Sequence, residues 1–85
     1  MSDEQTKQNI ARNICRLLAL RESPENTQAW LGERCGESRM RINLYARGEK
    51  MASAGVISRI AEALEVSVDE LIGSPPRARR RKLSA

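Results

Sequence analysis

The side chains that most often carry out catalysis or bind metals are scarce in this sequence. It has no histidine, and its two cysteines, Cys15 and Cys35, lie far apart. That spacing matches none of the usual zinc motifs, and a serine or cysteine nucleophile would lack an imidazole to activate it. We therefore expect no enzymatic activity, no metal site and no cofactor. Two cysteines in a short chain of this kind are expected to stay reduced.

Charged side chains are the other candidates for chemistry, and they are distributed unevenly. Residues 34–59 hold six basic and two acidic side chains, whereas 60–73 hold four acidic side chains and no basic one. The formal net charge of the whole chain is +4. This asymmetry favours one surface that faces a polyanion and another that faces solvent or a partner. A soluble domain with an ordinary patchy surface is the alternative.

The chain of 85 residues has room for one small domain, and its apolar pattern predicts that this domain is all-α. Apolar residues recur at three- and four-residue steps, and the two-residue alternation of strands is missing. No apolar run is long enough to span a membrane, and the acidic start does not resemble a signal peptide. Apolar pattern and capping residues together predict five helices, at about 7–21, 27–35, 39–46, 54–65 and from Ser67 to Gly73.

The most informative segment is 27–48, in which two short predicted helices meet across the turn Gly36-Glu37-Ser38. This is the spacing of a helix-turn-helix, whose second helix enters the major groove of DNA. Gly32 supplies the small residue that is needed where the helices cross, and Gly36 supplies the glycine of the turn. Apolar residues are spaced to fix both helices to the core: Leu31, Cys35, Ile42 and Tyr45. The outward face of the second helix of this motif, 39–46, holds a polar, basic set: Arg39, Met40, Arg41 and Asn43.

Over residues 8–73, the chain resembles the lambda-repressor-like, Cro/XRE-type helix-turn-helix proteins of phages and bacteria. The resemblance is carried by Thr27-Gln28, Leu31-Gly32, Gly36, Ser38, Ile42, Tyr45, Arg47-Gly48 and the run from Ile60 to Ile72. It implies a five-helix, all-α DNA-binding domain with the helix-turn-helix at helices 2 and 3. It also implies that the domain binds operator DNA as a dimer.

Three residues depart from the pattern of this family, and one of them, Met40, is an unusual residue for reading a base. Glu37 stands where the family usually has an aliphatic residue, which predicts a more open or more polar turn. Ala46 replaces a frequent glutamate, and this removes an ion pair with Arg21.

The resemblance and the chemistry of the side chains together assign base reading to the second helix of the motif. Arg39 and Met40 match the family's base-reading positions. Arg39 and Arg41 can each donate two hydrogen bonds to guanine, Asn43 can read adenine, and Met40 can pack on a thymine methyl group. The alternative for the two arginines is that they are solvated or bind phosphate, and Asn43 can also touch phosphate.

Phosphate binding is assigned to residues at the helix N-termini and in the loop after the second helix. Gln28 matches a family glutamine that touches phosphate, and free amides at a helix N-terminus favour an anion. Expected phosphate contacts are Thr27, Gln28, Ser38, Arg47 and Lys50, although Thr27 also reads simply as an N-cap. Arg34 and Arg59 are expected to be solvated, and Trp30 to pack at the edge of the core rather than against a partner or the DNA backbone.

These assignments predict a sequence-specific transcriptional regulator, a repressor of the Cro-like or restriction–modification controller-like kind. We expect a homodimer on a near-palindromic operator, with half-sites about 10 bp apart. We expect it in the cytoplasm of a bacterial or phage-infected cell, associated with the nucleoid. With no room for a ligand-sensing domain, control would come from concentration, dimerisation or a partner. The alternative is an antitoxin-type interaction module that neutralises a toxin and regulates its own synthesis.

The predicted domain boundaries are 1–73 for the DNA-binding domain and 74–85 for a basic, disordered C-terminal tail. The tail follows Pro75-Pro76 and carries five basic and no acidic residues. It has too few apolar side chains to fold by itself. Three interpretations remain open: a solvated end, an arm along DNA phosphates or the minor groove, and a site for a protein or RNA.

Overall fold

The computed structural model describes residues 2–75, so the predicted basic tail, apart from its first two residues, lies outside the described part of the chain. Residues 2–75 form five α-helices and no strand: α1 (Asp3–Ala19), α2 (Gln28–Cys35), α3 (Arg39–Ala46), α4 (Ala54–Leu64) and α5 (Val68–Ile72). This confirms the prediction of an all-α, five-helix architecture in which α2 and α3 are two short helices joined by a turn.

The predicted bounds of α1 are wrong at both ends. A helix over 7–21 was expected, whereas α1 begins at Asp3 and ends at Ala19. Its N-cap is Ser2, whose Oγ accepts a 3.0 Å hydrogen bond from the Gln5 N–H. Two carboxylates lie in the first turn, where they interact favourably with the helix dipole. The prediction followed the apolar stripe, and this stripe starts later than the capping signal.

The other four helices begin at hydroxyl residues, as predicted. Their side-chain oxygens accept hydrogen bonds of 3.0–3.3 Å from the backbone N–H three residues later, at Thr27, Ser38, Ser53 and Ser67. α2 ends at Gly36, whose φ of 74° is a conformation that glycine adopts without strain. α4 ends one residue before the predicted 65, because Glu65 is a left-handed C-cap with a φ of 62°.

The hydrophobic core lies where α1 packs against α3 and α5, and where α2 packs against α3 and α4. The predicted apolar stripes are all buried there, and the most completely buried apolar side chains include Ile14, Leu31, Ile42, Ile60 and Leu71. α3 is held between α1 and α2, so its orientation is fixed by packing on two sides. The remaining face of α3 is exposed.

Two buried asparagines of α1 hold α5 in place. The Asn13 side chain is fully buried, and its Nδ2 lies 2.7 Å from the Leu71 carbonyl oxygen and 2.8 Å from that of Gly73. The Asn9 Nδ2 lies 3.1 Å from the Ile72 carbonyl oxygen. The last carbonyls of a helix have no partner within the helix, so these amides act as its C-terminal cap. No local sequence pattern predicts this role for either asparagine.

Candidate nucleic-acid interface

The crossing of α2 and α3 depends on Gly32. A Cβ atom at this position would lie 2.6 Å from the Glu37 carbonyl oxygen and 3.4 Å from the Ile42 Cγ1. The first of these distances is far below van der Waals contact, and the atom concerned belongs to the backbone. The two helices therefore approach as closely as the sequence analysis required, and the approach leaves no space for a side chain.

The turn between α2 and α3 is polar but closed. The Glu37 side chain is 13% exposed, and its carboxylate lies 3.2 Å from Arg59 Nη2 and 4.0 Å from Arg41 Nε. Arg59 also donates a 2.9 Å hydrogen bond from Nε to the Cys35 carbonyl oxygen at the end of α2. Glu37 therefore joins the turn to α4 by an ion pair, in place of the aliphatic contact typical of the resembled family.

Arg59 lies on an exposed face of α4, as expected, but its side chain also makes contacts within the protein. Its guanidinium group is partly exposed, but it donates both to Glu37 and to the C-terminal carbonyl of α2. A long side chain on α4 can reach this helix end, where the partial charge is negative. Nothing in the local sequence pattern signals a contact that spans more than twenty residues.

Three of the four predicted base-reading residues lie together on the exposed face of α3. Arg39, Met40 and Asn43 line a shallow depression of about 320 Å³ with Gln28 at the start of α2. Met40 is 74% exposed, so it contributes little to the core and is available for contact with a partner. Arg41 is also exposed, but it lies outside this depression, near Glu37.

The hydroxyl groups at the two helix N-termini are already engaged as caps. The Thr27 Oγ1 accepts from the Trp30 N–H and donates a 3.0 Å hydrogen bond to the Pro24 carbonyl oxygen. Its only proton is therefore used within the protein, which favours the N-cap reading of this residue. The Ser38 Oγ accepts from the Arg41 N–H, and it donates to no other residue within 2–75.

The loop after α3 carries the remaining predicted phosphate contacts. Arg47 lies 2.7 Å from the Glu49 carboxylate through Nη2, and its Nη1 donates to the Asn43 Oδ1 at 3.5 Å. Lys50 is exposed and makes no ion pair with any residue in the described part of the chain. The loop turns at Gly48, which has a φ of 71°.

A model of the helix-turn-helix family matches residues 17–71, which is more than half of the chain. The protein belongs to the Cro/XRE-type helix-turn-helix family. No curated protein and no solved structure gives a significant match. The matched range includes all of α2, α3 and α4 and ends within α5. Membership makes the protein a DNA-binding transcription regulator of this type.

Trp30 of this helix-turn-helix packs at the edge of the core, as predicted. The guanidinium carbons of Arg21 and Arg34 lie 4.9 Å and 5.6 Å from the centre of its ring. Arg34 is exposed, as expected, and its charge also lies over an aromatic face. Arg21, whose glutamate partner is replaced by Ala46, pairs with the Glu25 carboxylate at 3.1 Å.

The remaining groups that could carry chemistry are the acidic side chains and the two thiols. Among residues 2–75, no three His, Cys, Asp or Glu side chains are grouped so that they could hold a metal ion. No helix in the same range is long and apolar enough to cross a membrane. Burial raises the pKa of the Cys35 thiol. The Cys15 side chain is exposed, and its Sγ lies 3.6 Å from the Ala46 carbonyl oxygen.

Proposed function

We propose that this regulator is a repressor that binds a near-palindromic operator as a homodimer, with one α3 in each half-site. The observation that carries the proposal is the exposed face of α3. It presents Arg39, Met40 and Arg41 to solvent, while its opposite face is fixed to the core. A rigid helix with exposed arginines near its N-terminus suits base reading in the major groove.

Base reading is assigned to Arg39, Met40 and Arg41, whereas Asn43, the fourth residue expected to read a base, has both ends of its carboxamide hydrogen-bonded within the protein. Arg39 is the leading candidate because no carboxylate in the described part of the chain pairs with its guanidinium group, so both of its donor edges can face guanine. Arg41 ranks below Arg39, because its Nε lies 4.0 Å from the Glu37 carboxylate, which competes with DNA for its donors. Met40 would supply an apolar contact to a thymine methyl group.

Phosphate binding is assigned to Thr27, Gln28, Ser38, Arg47 and Lys50. Lys50 provides an exposed charge just beyond α3, and Ser38 has a hydroxyl proton to donate. Thr27 would contribute through the free backbone amides that its cap leaves at the start of α2, because its hydroxyl proton is already used. These contacts would set the position of α3 without reading the sequence.

Repression, as a Cro-like or restriction–modification controller-like protein, is the simplest outcome of operator binding. A bound protein blocks access to the same DNA without a further device, whereas activation requires a separate productive contact. Binding to DNA in a bacterial or phage-infected cell would place the protein in the cytoplasm, at the nucleoid. Control would then come through concentration, dimerisation or a partner.

The experiment is selection of binding sites from random duplex DNA by the purified full-length protein at physiological salt. A two-fold symmetric motif with half-sites about 10 bp apart supports a dimeric, specific regulator. A single half-site would refute the dimer. Recovery of no motif, with only weak and salt-sensitive binding, would refute the operator proposal and favour the antitoxin-type alternative, which a co-purifying small protein would then support.

A further inference from the structure

A chain of hydrogen bonds connects the loop after α3 with the start of α2. The Arg47 Nη1 donates to the Asn43 Oδ1 at 3.5 Å, and the Asn43 Nδ2 donates to the Gln28 Oε1 at 3.1 Å. Gln28 and Asn43 are both partly buried, and both line the depression on the exposed face of α3. The three side chains thus lie where the DNA contacts are expected.

The direction of this chain is fixed by chemistry. A guanidinium group can only donate hydrogen bonds, so the atom of Asn43 that faces Arg47 must be the oxygen. The Asn43 nitrogen then faces Gln28, and only the oxygen of the Gln28 carboxamide can accept from it. The two donor hydrogens on Gln28 Nε2 therefore remain, and their orientation follows from a cation two links away.

We propose that Asn43 is a positioning residue, which orients Gln28 so that Nε2 donates to a DNA phosphate, and that it is not a base reader. The proposal rests on the DNA binding proposed above. Phosphate oxygens only accept, so a Gln28 side chain turned the other way would present a repulsive oxygen. Adenine reading would need both the nitrogen and the oxygen of the Asn43 carboxamide, and each already has a protein partner.

Polarisation strengthens the arrangement. Each bond in a chain with one direction enhances the next, and here the positive charge of Arg47 lies at the end of the chain opposite to Gln28. Arg47 is itself held by the Glu49 carboxylate at 2.7 Å, which limits the movement of its guanidinium group. The Gln28 Nε2 donor is therefore already oriented in the DNA-free protein.

The test is a double-mutant cycle with Gln28→Ala, Asn43→Ala and the double variant. Affinity is measured for the duplex recovered by site selection and for a random duplex of equal length. We expect each single variant to weaken both duplexes about tenfold, as for a lost hydrogen bond to a charged group. Adding Asn43→Ala to Gln28→Ala should then change affinity less than about twofold, because both substitutions remove the same contact.

The matched control is Arg39→Ala combined with Gln28→Ala. Arg39 lines the same depression but has no hydrogen bond to either carboxamide among the described residues, so its effect should multiply with that of Gln28→Ala. Circular dichroism and thermal melting of each variant show that it is folded at the temperature of the binding assay.

Two results would overturn the assignment. Independent, multiplying losses in the Gln28 and Asn43 cycle would show that the two residues act separately. A changed base preference at one position of each half-site in Asn43→Ala would show that Asn43 reads a base. Failure of the unmodified protein to bind any duplex would refute the proposed function itself, and this assignment with it.

Discussion

The strongest prediction about stability concerns Asn13, the buried cap of α5. Its Nδ2 donates to three carbonyl oxygens, those of Glu70, Leu71 and Gly73, at 3.2, 2.7 and 2.8 Å. Replacement by alanine leaves all three without this donor. The Leu71 oxygen lies in a buried environment, whereas water can reach the other two in part.

The magnitude follows from these environments. A buried acceptor that loses its only partner costs about 1–3 kcal/mol, and a partly hydrated one costs about 0.5 kcal/mol. Asn13→Ala should therefore lower the free energy of unfolding by about 2–4 kcal/mol. A domain of this size has a total stability of roughly 4–13 kcal/mol, so the loss would be a large fraction of it. Asn13→Asp should also lower it at neutral pH, because a carboxylate presents only acceptors to the three carbonyls and an ion pair with Arg16 offsets only part of this loss.

Urea unfolding followed by circular dichroism measures this effect, with Asn26→Ala as the control. Asn26 is exposed in the loop before α2 and should change stability by less than about 0.5 kcal/mol. Amide hydrogen exchange adds a local readout, since the protection of α5 should fall more than that of α4. If Asn13→Ala unfolds at the same urea concentration as the unmodified protein, the reasoning that this amide holds α5 is refuted.

Four further predictions concern the helix-turn-helix and the thiols. Gly32→Ala should cost about 1–3 kcal/mol in urea unfolding, because the new methyl group meets the Glu37 carbonyl oxygen; an unchanged midpoint would contradict the close crossing. Arg39→Ala should change base preference in site selection, whereas Lys50→Ala should weaken all sequences alike and reduce the salt slope by about 1; identical behaviour would remove Arg39 as a base reader. The Cys35 thiol should react with a disulfide reagent far more slowly than the exposed Cys15, and equal rates would contradict its burial. Burial raises the pKa of the Cys35 thiol in the folded state. The free energy of unfolding should therefore fall as the pH rises above the pKa that this thiol has in the unfolded chain, and urea unfolding between pH 7 and 10 measures this fall.

The sequence predicted those parts of the fold that local signals determine. Hydroxyl caps and the glycine at 36 gave the bounds of α2 and α3, because a helix end is fixed by the groups next to it in the chain. The same kind of signal is present at Ser2, but the apolar stripe, on which the predicted bounds of α1 rest, starts later in the chain. Asn9 and Asn13 also form a recognisable pattern in the sequence, because they lie four residues apart and each stands beside a buried isoleucine. Their partners lie about sixty residues away, and no local pattern predicts such a pairing.

At the interface, too, the sequence predicted which side chains are present but not which of them pair. The side chains expected on α3 were identified from their positions on a predicted helix. The ion-pair partners of these side chains were not identified, because the local sequence places Glu37 in the turn and Arg59 on α4 without indicating that the two meet. The ion pair between them depends on the packing of α2 against α4. Tertiary contacts of this kind decide which cations are free, and the sequence supplies only their number.

The ion pairs within the protein affect how strongly each cation of this surface would bind DNA. Of the cations assigned to the interface, Arg41 lies near Glu37 and Arg47 is paired with Glu49, whereas Arg39 and Lys50 have no carboxylate partner within residues 2–75. A phosphate or base that engages the first two must share their guanidinium donors with a carboxylate or displace it, which offsets part of the gain. Arg39 and Lys50 pay no such cost, so they should contribute most of the affinity. One of them lies at the start of α3 and the other beyond its end, so together they would fix the helix at both ends.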